Sequence, residues 1–578
     1  MNKGHPVGAF KHFPDNPKAF LFQIPDESLK VITENGNDEK EVFGLFTAPS
    51  YLKGDRMAYP WLKSCRMDCL TLAVMILIFL QAFPAFGEDK PIAGATQDRK
   101  AKTLTLADCV ILALQNNVAI RNAYLDRISQ RMSLRVAEDK FMPQPSLAFS
   151  TITTSTYNTD NTRTQASVQD AKFVTTLTLP TGGAINFTWD NPANKLDVGQ
   201  NYSYSSGWSV TFTQPILKNA GIDAATQSVK QARIAEEQAV LDLRDTLVNT
   251  ITTTITNYRS YMSALRSYDI QVKGLETAKQ TLETNKALIA AGRMARTEVI
   301  QAENDVANQE LSVITAKNSI DSALLTLLQT LDLDKHTLFL PVEETEKQVT
   351  LPPLQEAIAI ALKNRSGYIK AVQNLDLATL DMAVKKRNLL WDLSLVTGAG
   401  RTGTDVTYGG AFNDQALGKS NWKVGLTLNI PLRDLATEST YVSARVALEK
   451  ARINLKKLTT DIEIDVQNKL RDTDVNYRSY LLSKKGRELS EQKLAIEQEK
   501  LKLGRTTNFQ LVSFQNDVIS QRTAELQSLI TYLNSLTALD QSLGIVLNRW
   551  NITVKREDDD VKLLEAEKKA ANQKVTAK

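Results

Sequence analysis

The sequence predicts a mainly helical protein made of two tandem repeats, each running helix, strands, long helix, helix. Three observations predict it. First, motifs recur at a fixed offset. "AAGRMARTEVIQAENDV" (Ala290–Val306) and "KLGRTTNFQLVSFQNDV" (Lys502–Val518) stand 212 residues apart throughout, as do Gly274 and Gly486. Second, apolar positions from Val240 to Leu275 step by three or four, the coiled-coil period. Third, between the helical stretches the period changes to two, and Thr, Tyr, Phe and Trp become frequent, as in strands.

Bulk composition narrows the function. The 578 residues carry a net charge of only +4, which gives no electrostatic reason for a nucleic-acid partner. Three histidines (His5, His12, His336) and three cysteines (Cys65, Cys69, Cys109) leave little material for a disulfide framework, a zinc site or another metal centre, and no cofactor is expected. The stretch "RMDCLTLAVMILIFLQAFPAFGED" has a basic flank at Arg66, an apolar run from Leu70 to Phe83, and Ala85-Phe86-Gly87 at its end. That is the layout of a secretory signal cut after Gly87. The run is short of the ~20 apolar residues of a spanning helix; an uncleaved anchor is the alternative. Residues 57–87 are assigned as the signal region and 1–56 as a mis-called start or leader.

The first repeat is expected over 103–333. "TLADCVILALQNNVAI" (Thr105–Ile120) opens a helix of some 35 residues, about 50 Å long. Strands follow within about 146–214, then a helix of about 70 residues with no proline between Pro215 and Pro341, roughly 100 Å long. No compact domain contains such a rod, so it must pack against other rods. The second repeat, 353–550, opens with "PLQEAIAIALKNRSGYI", places strands within about 393–430 and a long helix from Tyr441 to Leu503. Residues 334–352 link the repeats, and 551–578 form a charged tail. "TYNTDNTRTQASVQD" and "RTGTDVTYGGAFNDQALGKS" read as loops. "NYRSY" occurs at Asn257–Tyr261 and Asn476–Tyr480, an offset of 219. The difference of seven is one heptad, an insertion that lengthens a rod while keeping its buried stripe on one face.

Alternation alone leaves a soluble two-layer sheet and a transmembrane barrel both open. Trp189, Trp208, Phe212 and Trp422 would suit an interfacial girdle. A chain with four to six strands is too small for a single-chain barrel of about eight or more, and an open edge does not sit in lipid. Membrane strands here therefore require several chains sharing one barrel.

These residues carry a resemblance. The "ALQNN" and "ALKNR" helix openings, "TQPIL" and "NIPL" entering the long helices, the paired Gly-Arg turns and the helix ends "LLQTLDL" and "LDQSLGI" resemble the TolC family of outer-membrane efflux proteins, over about Thr103 to Trp550. The resemblance implies a homotrimer in the cell outer membrane: a shared 12-stranded β-barrel in outer-membrane lipid, continued by a periplasmic α-helical barrel. Its partners would be a periplasmic adaptor and an inner-membrane transporter, in efflux or type I secretion. The Gly-Arg turns become the periplasmic tips, and the adaptor-docking residues Ala291, Gly292, Arg293, Leu503, Gly504 and Arg505. Gly292 and Gly504 would stop the long helices in the left-handed conformation; plain capping is the competing role. Glu298, Gln510 and Ser513 match aperture positions. Only Glu298 is acidic, which puts an anionic ring in doubt, and a first-turn carboxylate favoured by the helix dipole explains it equally. The first strand excursion is some 30 residues longer than the second and holds an extra hairpin around "LPTGGA". Two rivals remain: an enzyme, for which no phosphate loop or nucleophile elbow is seen, and a periplasmic coiled-coil adaptor or structural rod.

Overall fold

The computed structural model describes residues 20–23, 30–33, 102–157, 163–196, 202–292, 296–342, 350–418, 420–503 and 505–554. The signal region 57–87 and residues 555–578 lie outside them. Short strands β1 (Phe20–Gln23) and β2 (Lys30–Thr33) pair antiparallel, and β1 also runs parallel to β11 (Ile552–Val554).

The first repeat opens with β3 (Lys102–Leu104) and helix α1 (Leu106–Asn116), started by a reciprocal Thr105–Asp108 capping box. The single 35-residue helix expected here is two helices, α1 and α2 (Val118–Asp139). Asn117 makes the break. Its backbone is extended, its side chain caps α2 by accepting from the Ala119 N–H, and its amide donates to the Thr330 carbonyl. The second repeat breaks at the matching Arg365, between α5 (Leu354–Asn364) and α6 (Ser366–Asn388). The last letter of "ALQNN" and "ALKNR" is thus the break.

Helix α3 (Ile222–Ala290) has 69 residues and α8 (Leu435–Lys502) has 68. Beside α3 lie α1 and α2, end to end with α4 (Thr297–Leu331), helices of 11, 22 and 35 residues. Beside α8 lie α5, α6 and α9 (Asn508–Leu543), of 11, 23 and 36. Each repeat is therefore two parallel rods of one length. Because α3 and α8 match in length, the heptad difference is not a net insertion. It places "NYRSY" about two turns nearer the tip in the second repeat.

Where α1 meets α4, the residues buried are Cys109, Ala113, Tyr258, Tyr261, Leu324, Leu327, Leu328, Leu331 and Phe339. Here β3 pairs parallel with β8 (Phe339–Pro341), which belongs to the 334–352 link. The Tyr258 hydroxyl lies 2.8 Å from the Val342 carbonyl and 3.1 Å from that of Leu104, and Tyr261 donates to the Phe339 carbonyl at 2.8 Å. Two tyrosines of the first "NYRSY" therefore clamp the belt to the long rod. The repeats meet where α3 packs on α9, through Met262, Leu526 and Ile530 with Ile270 beside them. Buried Arg259 also donates there, to the Leu533 carbonyl and Thr537 Oγ1, each at 2.8 Å.

At the other end of the rods is one antiparallel sheet, in the order β10-β9-β7-β6-β5-β4. The strands are β4 (Gln144–Tyr157), β5 (Arg163–Thr178), β6 (Ala184–Leu196), β7 (Ser203–Pro215), β9 (Asp392–Asp405) and β10 (Asn421–Asn429). Six strands per chain are two more than a 12-stranded trimeric barrel takes. The segment after β9, expected as loop, holds α7 (Tyr408–Leu417), capped by Thr407. Its Gly/Asn/Asp content hides an apolar stripe whose Ala411 and Gln415 are buried on the sheet. Gly403 permits this, since a Cβ there would stand 2.1 Å from the Gln415 N–H nitrogen.

Candidate functional site: the sheet and the helix tips

Strand register fixes which residues share a face. On one face lie Leu147 and Phe149 of β4, Phe173 and Leu177 of β5, Ile185, Phe187 and Trp189 of β6, Trp208, Val210 and Phe212 of β7, Leu393, Leu395 and Ala399 of β9, and Trp422, Val424, Leu426 and Leu428 of β10. The opposite face is polar or glycine over the same rows: Ser146 and Ser150, Asp170 and Lys172, Asn186, Thr188 and Asp190, Ser209 and Thr211, Gly398 and Gly400, Lys423 and Thr427. Val174 and Val396 are exceptions near the rods, Ile152 and Val168 farther out. The apolar band covers the rod-proximal eight or so residues of each strand, about 25 Å, the height of the lipid-facing band of outer-membrane barrels. Trp189 and Trp208 pair directly across strands at its far edge, with Trp422 one row nearer the rods. All four aromatics expected in a girdle lie on this face; Phe212 sits deeper in the band. Beyond the tryptophans the face turns polar, and Ser206 Oγ lies 2.7 Å from Asn191 Oδ1 and 2.8 Å from Gln415 Oε1 under α7. Among the described residues no helix is long and apolar enough to cross a membrane.

The tips lie at the opposite end. Helix α3 stops at Ala291, and Gly292 follows with φ +70°, the left-handed stop expected. Arg293 and Gly504 lie outside the described residues. The second rod ends at Leu503, and the Arg505 N–H reaches back to the Lys500 carbonyl at 2.9 Å, the 6→1 bond of a Schellman stop. Ala291, Gly292, Leu503 and Arg505 are all exposed. Glu298 stands in the first turn of α4, half-buried, with Oε2 shielded from water and no hydrogen-bond partner among the described residues. Gln510 and Ser513 are exposed in the first turns of α9. Gln510 and Ser513 stand one turn apart on α9, and Glu298 stands on α4. Glu497 holds the tip loop by accepting from Thr506 Oγ1 and pairing with Lys500, and these contacts keep its carboxyl below the usual range.

Residues 110–332, most of the first repeat, match the outer membrane efflux protein family. The whole fold is similar to solved outer-membrane channels. For the Campylobacter jejuni CmeC outer membrane channel the TM-score is 0.58 at 14% identity, over 80% of this chain and 88% of that one. For the OprN outer-membrane channel it is 0.59 at 17%, over 77% and 90%. For the open state of the Neisseria gonorrhoeae MtrE outer membrane channel it is 0.56 at 16%, over 76% and 88%. No curated protein matches the sequence.

The apolar band and the rods thus occupy opposite ends of a fold like that of these channels. One feature of the rods escaped sequence reasoning. Near the tips the interior between the repeats is polar. Gln515 Nε2 donates to Thr281 Oγ1 at 2.9 Å, Gln309 Nε2 to Asn516 Oδ1 at 2.9 Å, and Asn516 Nδ2 to Asp305 Oδ1 at 3.1 Å. Asn285 and Asn508, 0% and 2% exposed, have side-chain amides with no partner among the described residues. The signal was present in the repeated "ND" of Asn304-Asp305 and Asn516-Asp517. Gly274 and Gly486 also gain a reason. A Cβ would stand 3.3 Å from Gln309 Oε1 at Gly274 and 2.9 Å from Gln521 Oε1 at Gly486, and these glutamines are themselves 212 residues apart. Among the described residues no cluster of His, Cys, Asp and Glu could hold a metal ion.

Proposed function

We propose that three copies of this chain form the outer-membrane exit duct of a tripartite efflux or type I secretion system, a conduit rather than a catalyst. One observation carries the assembly. Each chain contains one interface between its repeats, α3 on α9, and leaves the two halves of an equivalent interface open. Ile270 of α3 corresponds by the 212 offset, as Gly274 does to Gly486, to Leu482 of α8, and Leu526 of α9 corresponds by the same offset to Ile314 of α4. Leu482 and Ile314 are 73% and 66% exposed. Packing α8 of one copy on α4 of the next repeats the internal contact and closes a ring of rods below the sheet. Exported substrates pass along its axis, handed over by an inner-membrane pump and a periplasmic adaptor.

The adaptor docks on the six tips of the trimer, through Ala291, Gly292, Arg293, Leu503, Gly504 and Arg505. The exposure of Ala291, Gly292, Leu503 and Arg505, and their separation from the sheet by the full rod length, support this role. Glu298 of α4 and Gln510 and Ser513 of α9, all in the first turns after the tips, line the aperture of the ring. The test of the assembly is a pair of cysteines, Ile314→Cys with Leu482→Cys. Oxidation should give a disulfide-linked trimer from outer membranes, with neither single variant crosslinking. Monomeric mass in mild detergent together with no crosslink would overturn the duct and favour a structural rod.

A further inference from the structure

The additional hairpin of the first repeat is the part of the sheet that a 12-stranded barrel leaves unexplained. In chain order β4 leaves the short rod and β7 enters the long one; β5 and β6 are inserted between them. Three observations place the insertion in the wall. The ladder is continuous, with β5 paired to β4 over its outer side and to β6 over its inner side, from Gln144↔Thr176 to Tyr157↔Arg163 and from Ala166↔Leu196 to Thr178↔Ala184. The inserted strands partition their residues as the others do. Phe173, Leu177, Ile185, Phe187 and Trp189 continue the apolar band, while Asp170, Lys172 and Asp190 lie on the polar face. A flap folded over either side of the wall would put one of these sets in the wrong medium.

The third observation is that the β5–β6 turn is built into the rim above the rods. The Gly221 N–H donates to the Thr181 carbonyl at 3.1 Å, Thr181 Oγ1 lies 2.9 Å from Gln214 Oε1, and Gln214 Nε2 donates to the Thr181 carbonyl at 3.2 Å. Gly182, at φ +92°, has no room for a side chain, since a Cβ would stand 2.8 Å from the Asn219 carbonyl oxygen.

We infer that the hairpin widens the barrel: three six-stranded sheets join edge to edge, β4 of one copy against β10 of the next, into an 18-stranded wall. The inference rests on the trimeric reading above. The geometry of the edges suits a second copy of this chain. β4 runs away from the rods and β10 toward them, so their junction is antiparallel, and inserting two strands preserves that parity. Both edge strands are fully exposed in the single chain. Both carry apolar residues on the same outer face, Leu147 and Phe149 against Trp422, Val424, Leu426 and Leu428, so the band runs on across the seam. Barrel diameter rises about linearly with strand number, so the lumen at the membrane is roughly 1.5-fold wider than with 12 strands. The sheet is then not the narrowest part of the duct, and the exit accommodates cargo bulkier than a 12-stranded collar admits.

Two sets of cysteine variants in outer membranes test this. The first pairs Ser146→Cys, Ala148→Cys or Ser150→Cys on β4 with Lys423→Cys, Gly425→Cys or Thr427→Cys on β10, at similar heights above the rods. At least one pair should give a disulfide-linked trimer. The native Cys109 thiol is fully buried and pushed up to about 12 by that burial, so it stays silent. The second set reads the inserted strands one residue at a time. Thr175→Cys on the lipid face of β5 should react with a membrane-partitioning maleimide and not with a water-soluble one; Thr188→Cys on the polar face of β6 should show the reverse. Joined edges with that labelling pattern support 18 strands. Joined edges with both inserted positions open to water would overturn the wide wall while leaving the trimeric duct intact, as would a trimer, linked through Ile314→Cys and Leu482→Cys, whose β4 and β10 never crosslink. Absence of any trimer would remove the duct reading itself.

Discussion

Asp540 offers a test of how the rods are held together that reads out in pH. It lies near the end of α9 with its residue 9% exposed, and Arg549 approaches it with Nε at 3.1 Å from Oδ2. Burial is the larger influence and pushes its carboxyl from 3.8 up to about 6, against the pull of Arg549 and Arg259. The folded pKa is raised above the unfolded value, so the folded protein holds more protons between about pH 4 and 6. Stability is therefore greatest below that window and falls as pH rises through it. A shift of about two pKa units corresponds to about 3 kcal/mol per chain, lost in full above about pH 6. Asp540→Asn keeps the shape and removes the buried charge. The attraction of Arg549 that it gives up is already contained in the net shift. The expected gain is about 3 kcal/mol at pH 8 and nothing below about pH 4. Urea midpoints followed by far-UV circular dichroism, wild type against variant at both pH values, measure it. A variant less stable than wild type at pH 8, or a difference that does not change with pH, would refute the reasoning.

Three further outcomes follow from named contacts. Gly292→Val places a β-branched residue at φ +70° where no atom crowds it, so its cost is backbone strain of about 1–2 kcal/mol; the trimer should persist while adaptor crosslinking and efflux fall, and Arg505→Glu should do the same without strain. Parent-like crosslinking in both would make the tips simple helix stops. Tyr258→Phe removes the hydroxyl that holds the Val342 and Leu104 carbonyls, a loss of about 1 kcal/mol confined to the belt, visible as faster amide exchange in Lys102–Leu104 and Phe339–Pro341 with the tips unchanged. N-terminal sequencing of the membrane-embedded protein should begin at or near Glu88; recovery of residues 1–56 on it would defeat the signal assignment.

The sequence showed what repeats and what alternates. The long rods were legible because an apolar stripe runs for about 10 turns with no proline across the helix, and the strands because Thr and aromatic residues alternate through them. It hid what depends on one residue's backbone. The break at Asn117 lies inside a helical pattern, since an Asn that caps one helix while ending another interrupts neither stripe. Helix α7 was masked by Gly409 and Gly410, and it exists because Gly403 opens the sheet beneath it. Strand β5 begins at Arg163, inside a stretch read as loop, because its outer part is polar on both faces beyond the lipid band. The tips were half legible. Gly292 marked its turn by residue type, whereas convergence of Glu298, Gln510 and Ser513 depends on neighbouring copies, which one chain's pattern does not contain.

The two "NYRSY" copies show how far a repeat persists once its surroundings differ. In the first, Tyr258 and Tyr261 hold the β3–β8 belt and Arg259 crosses to α9. The belt strand β8 comes from the link between repeats, and a chain has one such link. The second copy therefore faces no equivalent belt, and its tyrosines are used otherwise: Tyr477 packs on Tyr532 with ring centroids 5.0 Å apart, and buried Tyr480 lies under Lys484. Arg478 of the second copy pairs with Asp474 one turn away on its own helix, with its side chain 73% exposed. Counted from the tips by the 212 offset, the place of Arg259 on α8 is taken by Arg471, its side chain 67% exposed, and that of Leu533 on α4 by Asp321. An exposed arginine at the height of a buried one makes sense if Asp321 of a second chain completes its site. Arg471→Glu should therefore loosen the trimer while leaving each chain's own rods packed, and Asp321→Arg in the same chain should restore it.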